Sequence, residues 1–286
     1  MRGGIPRFVR DDAYAESFGS QWHRFRRTQF DSNTGIPLSY ERLRRIFGEN
    51  LFATLKGRQI LEAGCGAGRF TEVLLKFGAC VTSIDLSVAV DVNAANFPQD
   101  TQHRVAQADI LDLPLRPEGF DFVMCLGVLQ HTPSPELAIQ KLYDQVRRGG
   151  WLIIDHYAKG IGRATSLKPL YRWWLKRQPD LVRWKTVERL ARMFLPLHKR
   201  FRDTYPLWFV LSRISPLSTY YRVLPHLPES LQREFAILDT HDALTDWYKH
   251  VRTSEEIERI LRHVGADCIQ CWSGGNGIEA RCRKPD

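Results

Sequence analysis

The chain has 286 residues, enough for one α/β domain of ordinary size with an insertion and an ample core. Its start, Met-Arg-Gly-Gly-Ile-Pro-Arg, has no apolar signal region, and its apolar stretches fall well short of the ~20 residues a membrane span needs. Six cysteines scattered at 65, 80, 125, 268, 271 and 282 read as reduced thiols of a cytoplasmic protein rather than a disulfide frame. The net charge is +9, and residues 163–235 carry all of it, with fifteen Lys/Arg against five Asp/Glu. Such a basic segment suits nucleic acid, anionic lipid or a phosphorylated substrate.

Residues 1–57 are aromatic and basic (Phe8, Tyr14, Phe18, Trp22, Phe25, Phe30) and are expected to form helices over the mouth of a ligand site. Residues 58–64 form the first strand, which runs into Gly64, Gly66 and Gly68 in strict alternation, with the acidic Glu62 just before them. Glycines at such a turn let the backbone approach a ligand. Seventeen residues past Gly68, the strand 81–85 ends in Asp85, a carboxylate suited to gripping a ribose hydroxyl pair. A dinucleotide fingerprint, G-x-G-x-x-G, would need glycine at Arg69, so the spacing separates two cofactor classes.

Between those strands Phe70, Val73, Leu74 and Phe77 make a helical stripe that Gly78 ends. Ser87 is placed to cap the next helix. A strand near 103–108 ends in Asp109, and Phe120–Leu126 is apolar enough for a central parallel strand covered on both faces. The helix 135–147 has Ser134 as cap, Pro135 first, a buried face of Ile139, Leu142, Tyr143 and Val146, and Gly149-Gly150 as its stop. Strand five is Trp151–Asp155. Residues 158–252 then interrupt the pattern as helical pieces broken near Pro179, Pro196, Pro206 and Pro216. Afterwards Thr253 with Glu256 forms a capping box, Ile257, Ile260, Leu261 and Val264 a stripe, and two strands near 267–272 and 277–283 finish the sheet. Cys268 and Cys271 lie three apart in a strand, on opposite faces, so core packing is expected rather than a metal site.

This alternation predicts a Rossmann-like, doubly wound α/β sheet of seven strands. Four segments follow: a helical cap (1–57), a ligand-binding core (58–157), a basic helical insertion or lid (158–252), and a closing helix with two strands (253–286).

Residues 57–157 resemble the class I S-adenosylmethionine (SAM)-dependent methyltransferases. Ile60–Phe70 is similar to motif I, Ser83–Leu86 to motif II, Gln107–Ile110 to motif III, and Asp121–His131 to motif IV. The branch is that of the ubiquinone and menaquinone methyltransferases. The flanks (Phe18–Trp22, Thr28–Ser32 and Ile237–Asp242) resemble methyltransferases of bacterial glycan and natural-product clusters. The resemblance implies SAM as cofactor. Glu62, Gly64, Cys65, Gly66 and Gly68 would meet its methionine end, and Asp85, with Leu86 beside it, the ribose. Asp109 would accept from the adenine amino group with Ile110 on the ring, and Leu126 would pass near the sulfonium.

Methyl transfer to a hydroxyl benefits from a positioned base. His131 after strand four, His156 ending strand five at the pocket mouth, and His241 beside Asp242 in the lid are the candidates. The expected activity is transfer to a small-molecule, glycan or lipid-linked acceptor, at oxygen, in the cytoplasm or at the inner face of the membrane. The alternative is an RNA methyltransferase or binding protein using the basic insertion. It is weakened by Cys125-Leu126-Gly127-Val128 standing where base-modifying enzymes carry an Asn- or Asp-Pro-Pro-aromatic or Pro-Cys signature.

Overall fold

The computed structural model describes residues 3–9, 16–160 and 166–286, so Tyr14 of the expected cap lies outside the described residues. The chain divides into two compact units, one of Met1–Arg26, Phe30–Lys159 and Tyr248–Asp286, the other of Arg27–Gln29 and Gly160–Trp247.

The first unit opens with short helices α1 (Glu16–Arg24), α2 (Asp31–Thr34), α3 (Leu38–Phe47) and α4 (Glu49–Phe52). There follow β1 (Gln59–Ala63), α5 (Arg69–Lys76), β2 (Cys80–Asp85), α6 (Ala89–Asn96), β3 (His103–Gln107), β4 (Phe120–Cys125), α7 (Pro135–Gln145) and β5 (Val146–Tyr157). The second unit holds α8 (Lys168–Leu175), α9 (Asp180–Arg200), α10 (Tyr205–Ile214) and α11 (Glu229–Thr245). The chain ends in the first unit with α12 (Ser254–His263), β6 (Asp267–Gly274) and β7 (Gly277–Arg283).

The seven strands form one sheet in the order β3-β2-β1-β4-β5-β7-β6. β1 to β5 pair in parallel and β7 runs antiparallel to both β5 and β6. This is the Rossmann-like, seven-stranded α/β sheet expected from the alternation.

The central strands are apolar in unbroken runs because both faces are covered. Leu61, Val123, Leu152 and Ile154 join Ile139 and Leu142 of α7 and Ile257 and Leu261 of α12 in one core. Their strand neighbours Ile60, Phe122, Met124 and Ile153 join Leu43, Phe47, Val73 and Leu74 in the other. Successive strand residues thus serve opposite cores, the period of two that pleating imposes.

Several boundaries differ from the sequence reading. α7 ends at Gln145, because Val146 turns extended and pairs with Phe120. Arg147 instead reaches the Asp121 carboxylate at 2.6 Å, a tertiary partner that periodicity does not reveal. Gly150 lies so close to β4 that a Cβ there would stand 2.8 Å from the Asp121 carbonyl oxygen. Ser134 occupies the N-cap of α7, but its hydroxyl makes no capping bond. Pro196, expected to break a helix, sits inside α9, on its exposed side where water can serve the freed carbonyl. Cys268, expected in the core, is exposed, because an irregularity between Asp267 and Gln270 turns it outward at φ 47°.

The capping box at α12 forms as the sequence requires. Thr253 accepts from Glu256 N, and the Glu256 carboxylate accepts from Thr253 N at 2.8 Å. Thr253→Ala is expected to lower the unfolding free energy by ~1 kcal/mol, read as a shifted urea midpoint at constant slope.

Candidate active site

The first unit's site grows from the turn between β1 and α5. Gly64, Gly66 and Gly68 all take positive φ (79°, 51° and 100°), which side chains other than glycine's resist. The turn is pinned to β2: Gly64 N and Cys65 N both donate to the Ile84 carbonyl, at 2.7 and 2.9 Å. Gly66 N donates to Asp85 Oδ2 at 3.0 Å. The other oxygen of Asp85 accepts from Ser87 N (2.9 Å) and Ser87 Oγ (2.7 Å). Ser87, expected as the N-cap of α6, stands one residue before it, the cap position being Val88; its hydroxyl orients the carboxylate and accepts from Ala89 N at 3.2 Å. Burial pushes the Asp85 carboxyl up, against the opposing pull of these bonds.

The glycines also answer to their neighbours. A Cβ on Gly66 would stand 2.9 Å from the Trp22 indole, and one on Gly64 would collide with Val128. Trp22 of α1 thus lies over the turn, packed with Phe30, Ala67, Val92 and Phe97. Its importance escaped the sequence reading, which placed it only in a general aromatic cap.

Glu62 is buried in a polar cluster beneath the turn. Its Oε2 accepts from Thr71 Oγ1 (2.5 Å) and Ser83 Oγ (3.1 Å), and its Oε1 has no partner among the described residues. Asn93 Nδ2 donates to Thr71 Oγ1 at 3.1 Å, and His103 Nε2 lies 3.3 Å from Ser83 Oγ. Burial pushes the Glu62 carboxyl up to about 7. Cys65 is buried and its thiol is pushed up by the same cause.

Leu86 follows at the end of β2, its carbonyl accepting from Gln107 Nε2 at 2.8 Å. Asp109 is half-buried, and its Oδ1 accepts from Leu111 N at 2.9 Å, a local turn that fixes the carboxylate. Ile110 beside it is buried.

Beyond β4, Leu126 is buried, and Gly127, at φ 79°, donates its N–H to Asp155 Oδ1 at 2.6 Å. Asp155, two residues before the end of β5, lies in a buried charge cluster with Arg42 of α3 and Asn276. Burial raises its carboxyl, and the Arg42 guanidinium opposes that. Glu279 on β7 closes the cluster by pairing with Arg45 at 2.6 Å. The sequence reading placed Asp155 at a strand end but had no means of finding Arg42, which lies 113 residues earlier.

The three histidines have different surroundings. His131 is held by Tyr248 O, 3.1 Å from its Nδ1, and by the rings of Phe18 and Tyr157, at 5.2 and 5.4 Å. His156, expected at the pocket mouth, is wholly buried in β5, because that strand runs on to Tyr157. Its Nδ1 donates to Tyr157 O at 3.0 Å, which leaves the lone pair on Nε2. Nε2 has no partner among the described residues, and burial lowers the imidazole to about 4. His241 belongs to the second unit and stacks flat on Trp184, with centroids 3.6 Å apart and planes 2° from parallel. Within that unit it packs as a core residue.

Near His131 and His156 the irregular segment 248–252 passes: His250 N donates to Gln130 O at 2.9 Å, and Arg252 N to Tyr157 O at 2.9 Å. Gln130 is wholly buried, yet neither of its amide atoms, nor His250 Nε2, has a partner among the described residues. Buried polar groups are nearly always satisfied, so this corner is built to receive polar atoms. The Gln130-His131 pair stood within motif IV, and only burial singles out the glutamine.

Comparison with known proteins agrees with this geometry. A methyltransferase domain family matches residues 61–154. The ubiquinone biosynthesis O-methyltransferase of Coxiella burnetii (strain Dugway 5J108-111) is 35% identical over 104 residues, 36% of this chain and 44% of that protein. That of Pseudomonas entomophila (strain L48) is 35% identical over 101 residues, 34% of this chain and 43% of that protein. The chain thus matches less than half the length of these relatives. The Haemonchus contortus phosphoethanolamine N-methyltransferase 2, solved in complex with SAM, shares the fold at a TM-score of 0.51 and 14% identity, over 88% of this chain and 54% of that one.

The Glu62 cluster makes stability depend on pH. A carboxyl raised in the folded state is protonated there while the unfolded chain has lost its proton, so its contribution is complete below about 4.5 and lost as pH rises through about 7. Between pH 5 and 8 the wild type is expected to lose stability relative to Glu62→Gln, by on the order of 3 kcal/mol, measured by urea unfolding of both proteins. The glycine turn pinned to Asp85, the strand order and the matched family lead to one assignment: residues 61–154 of the chain form a methyltransferase domain.

Proposed function

We propose that the chain transfers a methyl group from SAM to a hydroxyl of a small-molecule, glycan or lipid-linked acceptor. The observation that carries this reading is the glycine turn fastened to Asp85 at the carboxyl end of β2, where ligands of such sheets bind. The choice of oxygen leans on the names of the ubiquinone-biosynthesis relatives, which cover only part of the chain.

The residues present suit the cofactor. α5 begins immediately after Gly68, so its first N–H groups and dipole favour the methionine carboxylate. Glu62 Oε1, buried and unpartnered among the described residues, can accept from a cationic amine. Asp85 retains lone pairs for ribose hydroxyls beyond those used by Gly66 and Ser87. Asp109, its carboxylate fixed by Leu111 N, would accept from the adenine amino group, and Ile110 would pack on the ring. Cys65, Gly66 and Leu86 complete the backbone cradle, and Leu126-Gly127, anchored by Asp155, lies where the strand ends converge.

SAM supplies the reactive methyl on its sulfonium, so the protein's work is alignment, exclusion of water and removal of one proton. Trp22 over the glycine turn shields that end from solvent. Gln130 can orient the acceptor through its two unused amide atoms. His156 is the candidate base with an open lone pair: Nδ1 is committed to Tyr157 O and Nε2 has no partner among the described residues, while burial disfavours the imidazolium that accepting a proton would form. His131, gripped by Phe18, Tyr157 and Tyr248, is better suited to holding the strand ends together.

Methyl-labelled SAM incubated with a host extract, then fractionated into RNA, lipid, protein and small-molecule pools, tests the reading. Label is expected in the lipid or small-molecule pool and absent with Asp85→Ala; label confined to RNA defeats it. With the acceptor in hand, His156→Ala is expected to lower kcat ~100-fold or more while SAM affinity stays unchanged. Because the imidazole is already neutral above about pH 5, kcat should show no histidine titration between pH 6 and 9. A turnover unaffected by His156→Ala would remove it from the mechanism.

A further inference from the structure

Helix α10 reads Tyr-Pro-Leu-Trp-Phe-Val-Leu-Ser-Arg-Ile, and none of its residues is buried. A helix apolar on nearly every side belongs in a core or against another apolar phase. Leu207, Phe209, Val210 and Ile214 are all exposed. Leu167 N donates to Arg213 O at 2.8 Å, which seats the start of α8 on the end of α10. α8 adds Leu170, 67% exposed, Trp173, 62% exposed, and Trp174, 44% exposed. Scattered exposed apolar residues are ordinary, but two joined helices that present them together are not.

Three arginines of this unit lie on its aromatic rings. The Arg213 guanidinium sits 4.5 Å from the Phe209 ring centre, Arg222 4.3 Å from Trp208, and Arg177 4.9 Å from Trp173. The exposed side of α9 continues the theme, with Lys185, Arg189 and Arg192 between Leu181 and Met193 at helical spacing.

We propose that α8 and α10 form a docking surface for an anionic phospholipid bilayer. The pairing of chemistries selects this occupant. Phosphate headgroups answer the cations, and the acyl boundary accepts Trp173, Leu170 and Val210. A nucleic acid satisfies the charge but has no use for the aliphatic side chains. A second copy would bring the same positive surface against itself. At ten residues α10 is far too short to span, and no helix among the described residues is long and apolar enough to cross a membrane, so the contact is peripheral.

The inference is independent of the methyl acceptor, because it is read without turnover. The full chain is mixed with sedimenting vesicles of phosphatidylcholine alone or with phosphatidylglycerol added. Binding to the anionic vesicles is expected at least ~10-fold above that to neutral ones. Trp173→Ser with Val210→Asp, and separately Arg189→Glu with Arg192→Glu, should each weaken it at least ~10-fold. Their thermal midpoints should match the wild type, since all four side chains are exposed. Indifference to both vesicles, or variants that bind as the wild type does, would overturn the proposal. So would tRNA binding without vesicle binding, or a dimer that dissociates in the Trp173→Ser, Val210→Asp variant.

Discussion

Everything at the ligand end of this fold depends on one turn. Between β1 and α5 the chain passes through three left-handed glycines and is tied to β2 by Gly66 N on Asp85 and by Gly64 N and Cys65 N on Ile84 O. The tie makes a single object of the phosphate-free glycine cradle, the start of α5 and the strand-end carboxylate. It also explains why neighbours crowd the turn: Val128 closes on Gly64, Trp22 on Gly66 and Phe97 on Gly68, at distances that a Cβ would violate. Glycine serves here both for its backbone freedom and for the absence of a side chain.

A second constraint works at the other end of the sheet's ligand edge. Asp155, nearly without solvent contact, gathers Arg42, Asn276 and the Gly127 N–H. Taking such charges out of water is costly, and the cluster persists because each carboxylate has a guanidinium and further donors. It couples α3 to β5 and, through Glu279 and Arg45, to β7. The same carboxylate fixes the backbone after β4, so packing and site geometry share one set of bonds.

Between these anchors the titratable groups divide their roles by environment. Glu62 is desolvated but hydrogen-bonded, and is raised to about 7. His156 is desolvated with its Nδ1 committed to a carbonyl, and is lowered to about 4. Burial favours the neutral form of both, which leaves an uncharged imidazole nitrogen available where Gln130 also has unused polar atoms. Neutrality makes His156 free to accept a proton, though only a modest base in strength.

The alternation of strands and helices, the glycine turn with Asp85, and the capping box at Thr253 were all legible in the amino-acid sequence. Each rests on local spacing: period two in strands, 3.6 in helices, and fixed offsets at turns. The ends of elements were less legible where a distant partner decides. α7 stops early because Val146 pairs with Phe120 and Arg147 goes to Asp121, and α9 runs through Pro196 on its exposed side. Cys268 faces outward because of an irregular register with β7. By itself, then, the sequence determined the sheet, the glycine turn and the carboxylates at the strand ends. Only tertiary structure decided that Glu62 is buried against Thr71 and Ser83, that Arg42 joins Asp155, that His241 is stacked on Trp184, and that Gln130 and His156 keep polar atoms without partners among the described residues. Burial and long-range pairing set the chemistry of a group, and neither is encoded in the spacing of its neighbours along the chain.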